Sequence, residues 1–234
     1  GTLRILEAIN TLELNKKTKF YQASTSEMYG KLIENPLSES TPFYPRSPYG
    51  VAKLYAYWIT VNYRETYNIF ACNGILFNHE SPRRGLNFVT RKITNGLANI
   101  CQGLEKCLYL GNLDSLRTWS DVRDAVRAYY MLVTQDPIPG EYYNIGGTST
   151  CTVREMLEHL ISLSTRDDIT IEIDPERLRP IDADLQVPDT TKFKEHTGWE
   201  PTIPFEKTML DLLNYWRDIV KTNKNKSFTA PNVI

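Results

Sequence analysis

No two cysteines stand close enough for a zinc-type pair, and the three histidines, His79, His159 and His196, lie far apart, so metal-ligand spacing is missing. Cys72, Cys101, Cys107 and Cys151 do not make a dense disulfide framework, and free thiols in a reducing compartment are expected. Long hydrophobic runs are missing as well. Nothing approaches the ~20 apolar residues that a membrane span needs, and no signal-peptide pattern is present. Charge of neither sign dominates: 27 Lys and Arg face 28 Asp and Glu, a formal net charge of −1. That balance excludes a long-range field for nucleic acid or an anionic membrane, so an anionic ligand has to be caught by local groups. These absences together point to a cytoplasmic protein with no metal and no nucleic-acid or membrane partner.

A glycine-rich turn after an early strand is also missing. Gly146–Gly147 is the only glycine pair, and it lacks the spacing of a dinucleotide-binding turn. The opening "GTLRILEAINTLEL" has no initiator Met and places Leu3, Leu6, Ile9 and Leu12 near one helical face. The expectation is a chain that begins inside a helix, as a portion of a longer protein.

What is present is ordinary globular material, 41% hydrophobic and 24% charged over 234 residues, enough for a sizeable core. After the opening helix comes a strand, "KFYQAS". The loop "STPFYPRSPYG" leads into a helix from about Pro48 to Tyr67, and "NIFACNGILF" reads as a buried strand. Helices alternating with strands predict βαβ units and a parallel sheet. Further on, a helix is expected at about Phe88 to Gln102, then the strand "CLYLG", a helix capped by Ser120 or Asp121, and the strand "EYYNIGG". "TVRE", Thr152 to Glu155, reads as a capping box opening a helix to about Leu163. The strand "ITIEI", a Pro-rich turn, a small helix near "TTKFKEHTGW" and an amphipathic helix to Val220 follow. Residues 221–234 are polar and expected to be disordered.

The strongest chemical signal is "SPYGVAK", with Tyr49 and Lys53 four residues apart on a predicted helix. Such residues share a face at roughly 5–6 Å between β-carbons, so an ammonium can sit beneath a phenol. A free phenol titrates near ~10, and an adjacent positive charge favours the phenolate, which makes the pair a proton shuttle for an alcohol under oxidation. Thr25, at the end of the preceding strand in "YQASTSEMYG", adds a hydroxyl where open α/β sheets bind their ligands. Spaced as i and i+2 in extended chain, Thr25 and Glu27 are expected to face one ligand. Trp119, Trp199, Tyr55, Tyr57 and Trp58 read as packing residues, and Arg123 as a helix-face partner of Asp121 or Asp124.

The blocks "ASTSEMYG", "TPFYPRSPYGVAKLYAYWITVNYRE", "GILFNHESPRRGLNFVTRKI" and "GNLDSLRTWSDVRDAV" resemble the GDP-mannose 4,6-dehydratase family of the extended short-chain dehydrogenase/reductases, the NAD-dependent epimerase/dehydratase group. They cover about Tyr21 to Ala125. The later block "RPIDADLQVPDTTKFKEHTGWEPTIPFEKTMLDLL" is similar to the same family and leans toward its GDP-4-keto-6-deoxymannose reductase branch.

This resemblance implies an α/β fold: the C-terminal part of a Rossmann-like doubly wound parallel sheet plus a smaller α/β substrate-binding domain. The implied division is residues 1–78 for the NADP-binding part, 79–220 for mainly sugar-nucleotide binding with segments returning to the sheet, and 221–234 for a tail. Roughly a hundred residues would precede Gly1. Implied, too, is a hydro-lyase that converts GDP-mannose to GDP-4-keto-6-deoxymannose with recycled NADP, acting as a homo-oligomer, dimer or tetramer. Thr25, Glu27, Tyr49 and Lys53 are then catalytic, with Glu27 as the base at C5. Tyr49, Lys53, His79 and Arg84 meet NADP. Ser26, Asn78, Lys92, Arg117 and Arg179 bind the sugar nucleotide. Ser26 stands where some sugar dehydratases of this group carry an Asp acid. A reductase, an epimerase, a GDP-heptose dehydratase or a silent binding fragment on the same scaffold remain alternatives, and Glu27 separates dehydratase from reductase.

Overall fold

The computed structural model describes residues 1–135, 141–166, 168–178 and 185–229. Their order is α1 (Thr2–Thr11), β1 (Lys19–Thr25), α2 (Pro48–Tyr67), β2 (Phe70–Leu76), α3 (Val89–Cys101), β3 (Cys107–Leu110), β4 (Leu116–Trp119), α4 (Val122–Thr134), β5 (Tyr142–Ile145), β6 (Ser149–Thr152), α5 (Val153–Ser162), β7 (Thr170–Ile173), α6 (Thr191–Thr197) and α7 (Phe205–Thr229). Contacts divide the chain into two units. The first takes Gly1–His79, Thr118–Ser149 and Asp184–Ile203, and the second takes Glu80–Arg117, Thr150–Ala183 and Pro204–Ile234.

In the first unit β1, β2 and β5 form a parallel sheet in that order. Thr25 pairs with Leu76 and Leu76 with Ile145, so the three strands end level at their carboxyl ends. β2, "FACNGIL", is buried along most of its length because helices cover both of its faces, as parallel strands require. Alternation along the strand sorts its side chains. Ala71 packs with Leu6, Ile9 and Tyr63, and Ile75 with Tyr57 and Val61, on the side of α1 and α2. Cys72 points the other way, to Ala128 and Leu132 of α4, Tyr143 and Ile145 of β5, Phe193 and Trp199. The expected α/β arrangement is what the chain adopts.

The second unit contains α3, β3, α5, β7 and α7, with β3 and β7 paired in parallel. α5 begins with the capping box expected at Thr152 and Glu155. β4 and β6 were not expected as strands; β6, Ser149–Thr152, carries no large apolar side chain, and β4, Leu116–Trp119, runs directly into the residues that cap α4.

Other expectations need correction. On α1, Leu6 and Ile9 are buried but Leu3 and Leu12 are exposed; the helix ends at Thr11, which leaves Leu12 past the last turn. Tyr57 packs in the core as expected, yet its neighbours Tyr55 and Trp58 on α2 are more than half exposed, since a helix turns ~100° per residue and cannot bury all three. The expected tail is helical to Thr229, because "KTNKNKSFT" contains no Pro or Gly to stop α7, and Lys224 Nζ donates to Gln102 O at 2.8 Å. Residues 230–234 lie outside the described residues. Among the described residues, no helix is long and apolar enough to cross a membrane.

Asp124 ties the first unit together after Asp121 has capped α4. Its carboxylate is nearly inaccessible and accepts from Thr202 N and Ile203 N (both 2.9 Å), Thr202 Oγ1 (3.0 Å) and Arg127 Nη2 (2.8 Å). Burial by itself would raise the carboxyl pKa, but the hydrogen bonds from Arg127, Ile203 and Thr202 outweigh it and hold the group below its ordinary value. A depressed folded-state pKa means stability that is complete above the unfolded value near ~4 and is lost as pH falls through the folded value. Asp124→Asn should cost about 1.5–3 kcal/mol at pH 7, with little of it from half-exposed Arg127, and should lose less stability than the parent between pH 5 and pH 3. Urea unfolding at the two pH values measures both effects.

Candidate active site

The carboxyl end of β1 carries the first group of candidates. Thr25 is its last residue; beyond it Ser26–Met28 form a single 3₁₀ turn capped by Thr25 Oγ1, which accepts from Glu27 N at 3.3 Å. This corrects the extended-chain argument for Thr25 and Glu27, since the backbone has already turned at Ser26. Thr25 and Ser26 are buried, whereas the Glu27 side chain is exposed. Ser26 O accepts from Gln186 Nε2 at 3.1 Å, so a residue 160 positions away secures the turn.

α2 supplies the second group. Ser47 caps it, accepting from Gly50 N at 3.0 Å, and Pro48 stands at its first turn. Tyr49 is 55% exposed. Lys53 Nζ lies 5.7 Å from the centroid of the Tyr49 ring and donates to Ala23 O of β1 at 2.9 Å. Partial burial lowers the lysine pKa below its ordinary value. The first turn of α2 presses on the 3₁₀ turn: a β-carbon at Gly50 would lie 2.8 Å from Glu27 O. Lys53 and Gly50 thus join β1 and α2, and Thr25, Glu27, Tyr49 and Lys53 occupy one neighbourhood at the strand ends.

Asn78 and His79 follow β2. Asn78 is exposed, and its carbonyl accepts from Ser120 Oγ at 2.7 Å. His79 Nδ1 lies 2.9 Å from Phe77 O; a carbonyl can only accept, so this nitrogen carries the proton and the ring is oriented. Arg123 grips Asp121 with Nε and Nη2 at 2.8 and 2.7 Å, the helix-face pair expected of it. Trp119 and Trp199 are both buried, and Trp199 Nε1 donates to Asp124 O at 3.1 Å.

Three candidates belong to the second unit. Arg84 pairs with buried Glu80 and lies over the Phe88 ring, 4.0 Å from its centroid. Lys92 is half-buried on α3. Arg117 Nη1 donates to the carbonyl of Leu116 at 2.8 Å. Arg179 lies outside the described residues.

Sequence reasoning overlooked Gly50, Gln186, Glu80 and Arg91. Gly50 had a signal, since it lies inside the Tyr49–Lys53 motif. Gln186 acts through a contact far along the chain, and Glu80 and Arg91 through burial, which no local pattern reports.

The family model for GDP-mannose 4,6 dehydratase matches residues 1–212. A GDP-mannose 4,6-dehydratase of Vibrio cholerae is 48% identical over 241 residues, covering 91% of this chain and 64% of its own length. The Homo sapiens GDP-mannose 4,6 dehydratase is 44% identical, with 96% of this chain and 65% of its own length covered. Among solved structures, RMD from Pseudomonas aeruginosa complexed with NADPH superposes with a TM-score of 0.85 at 25% identity, over 93% of this chain and 72% of that one. A dTDP-glucose 4,6-dehydratase from Bacillus anthracis in complex with NAD gives 0.78 at 26%, over 94% and 67%. The chain spans just under two thirds of the length of the curated relatives it matches. With the match running through β1, α2 and the strand-end residues gathered there, the chain belongs to the GDP-mannose 4,6-dehydratase family.

Proposed function

We propose that the protein of which this chain is part is a hydro-lyase that converts GDP-mannose to GDP-4-keto-6-deoxymannose, with Thr25, Glu27, Tyr49 and Lys53 as its catalytic residues. The observation that carries this reading is the convergence of a phenol, an ammonium and a carboxylate-bearing turn on the ends of a parallel sheet. The C5 proton of a hexose is not acidic until C4 is a ketone, so oxidation precedes elimination. Tyr49 receives the C4 hydroxyl proton, with Lys53 stabilising the phenolate and Thr25 hydrogen-bonding the same oxygen. Glu27, exposed on its turn, takes the C5 proton and delivers it to the C6 hydroxyl, which departs as water; a proton equivalent to the one Tyr49 received returns to C5 as C6 is reduced.

NADP, when bound, supplies the hydride acceptor for C4 and the donor for C6. The residues present fit one end of such a cofactor: Lys53 is anchored to Ala23 O, and His79 is oriented by Phe77 O beside the same strand ends. Arg84 brings a guanidinium suited to phosphate oxygens. For the sugar nucleotide the candidates are Ser26, Asn78, Lys92, Arg117 and Arg179. On this reading residues 1–78 serve the cofactor and 79–220 mainly the GDP-sugar.

We further infer a cytoplasmic homo-oligomer. α2 exposes Val51, Tyr55 and Trp58 at helical spacing, an apolar stripe that a second copy would cover. Trp58→Glu should shift the full-length protein toward monomer in sedimentation velocity; an unchanged distribution would place the interface elsewhere.

Incubating the full-length protein with GDP-mannose tests the main reading. Formation of a 4-keto-6-deoxy product without net consumption of added NADPH supports it. No product from GDP-mannose, together with NADPH-dependent reduction of the 4-keto-6-deoxy sugar, would mark a reductase.

A further inference from the structure

We propose that Glu80 and Arg91 are positioning residues, which hold the loop from Ser81 to Arg84 so that the Arg84 guanidinium meets a phosphate group of the bound dinucleotide. The proposal rests on the reading above that Arg84 contacts NADP. All the residues it invokes lie in the second unit.

Glu80 is only 1% exposed, and a carboxylate so placed is costly unless it is paired and hydrogen-bonded. It accepts from Arg84 Nη1 and, at 2.5 Å, from Thr90 Oγ1 on the first turn of α3. Arg84 is fixed along one edge by this carboxylate and across its plane by the Phe88 ring. A guanidinium carries five donors in a rigid fork, more than one carboxylate can accept, and its value for phosphate depends on where the fork points.

Arg91, 5% exposed on α3, holds the backbone of the same loop. Its Nη1 reaches Arg84 O at 2.5 Å and Ser81 O at 3.4 Å, and it also donates to Pro82 O. The Arg91 guanidinium lies 4.7 Å from the centroid of Trp216 and 5.6 Å from that of Tyr215, both on α7. A buried cation over aromatic faces resists movement, because leaving them forfeits both the quadrupole attraction and the carbonyl contacts. One anchor therefore sets the side chain of Arg84 and the other its backbone.

The test is a thermodynamic cycle in the full-length protein, read by fluorescence titration of the apo-protein with NADPH and by thermal unfolding. Arg91→Lys and Glu80→Gln should each weaken NADPH binding by roughly tenfold, the scale of one lost hydrogen bond to a charged group. Neither should weaken it further when combined with Arg84→Gln, whatever happens to the melting temperature. If Arg84→Gln itself leaves NADPH affinity unchanged, the reading of Arg84 as a nucleotide contact fails. Should Arg84→Gln weaken binding while Arg91→Lys and Glu80→Gln do not, or should their effects add in full, the contact stands and the positioning role is overturned. Thr90→Val, which removes one hydrogen bond to Glu80 at constant shape, serves if the charged variants do not fold. It should show a smaller loss of affinity that disappears in the Arg84→Gln background, and an additive loss would refute the proposal.

Discussion

Glu27→Gln should stop formation of the 4-keto-6-deoxy product while leaving the protein folded and C4 oxidation intact. The amide keeps the size of the side chain but cannot accept the C5 proton, and general-base catalysis of this kind is worth about 10²–10⁴ in rate. Structural damage is not expected, because the neighbours hold Glu27 through its backbone: its N–H caps on Thr25 Oγ1 and its carbonyl abuts Gly50, while the side chain is exposed. The melting temperature should therefore stay within about a degree or two of the parent, as for a surface substitution. A single turnover ought to accumulate a 4-keto hexose that retains its C6 hydroxyl, identified by mass. Tyr49→Phe makes the contrast, since it removes the acceptor of the C4 proton and should block both steps. Product formation by Glu27→Gln at a tenth of the parental rate or more would remove Glu27 from the role of base.

Gly30→Ala should produce the largest loss of stability from a single methyl group. Gly30 has φ +57°, and a β-carbon there would fall 1.9 Å from Tyr44 O. The left-handed conformation costs a non-glycine residue about 1–2 kcal/mol and overpacking about 1–3 more, together roughly 2–5 kcal/mol. The contact cannot relax cheaply because the intruding atom is backbone: Gly30 and Tyr44 form a parallel bridge, and Lys31 N donates to Tyr44 O at 3.1 Å. Function should suffer with stability, since the chain that leaves Tyr44 runs within three residues to the Ser47 cap that starts α2. Urea unfolding gives the stability and the rate of product formation gives the activity. A variant within about 0.5 kcal/mol of the parent would show that the two strands of this loop do not approach so closely.

Several features were readable from the sequence. The helix expected from about Pro48 to Tyr67 is α2, which the structure opens with the Ser47 cap and closes with left-handed Asn68, and the Thr152–Glu155 box sets the start of α5. Tyr49 and Lys53 come together because four residues make about one helical turn. All of these depend on atoms a few residues apart, where spacing and chemistry are the same thing.

Elsewhere the local pattern misled or was silent. Thr25 and Glu27 were expected on one side of an extended strand, but the chain turns at Ser26, where Gly50 and Gln186 meet it. Glu80 and Arg91 read as ordinary charged residues beside a loop; both are buried in the folded unit, Arg91 against Trp216 of α7 and Glu80 against Arg84 and Thr90. The exposure of Tyr55 and Trp58 beside buried Tyr57 was likewise hidden in a short aromatic-rich stretch. By itself, the sequence determined most of the elements, the α/β class and the family, and with them the phenol and ammonium pair. Only the tertiary structure decided which carboxylate is sealed in, which arginine is held and that the chain turns at Ser26. Those outcomes depend on desolvation and on contacts between residues remote in the chain, such as Arg91 with Trp216 and Ser26 with Gln186, and neither leaves a local period in the chain.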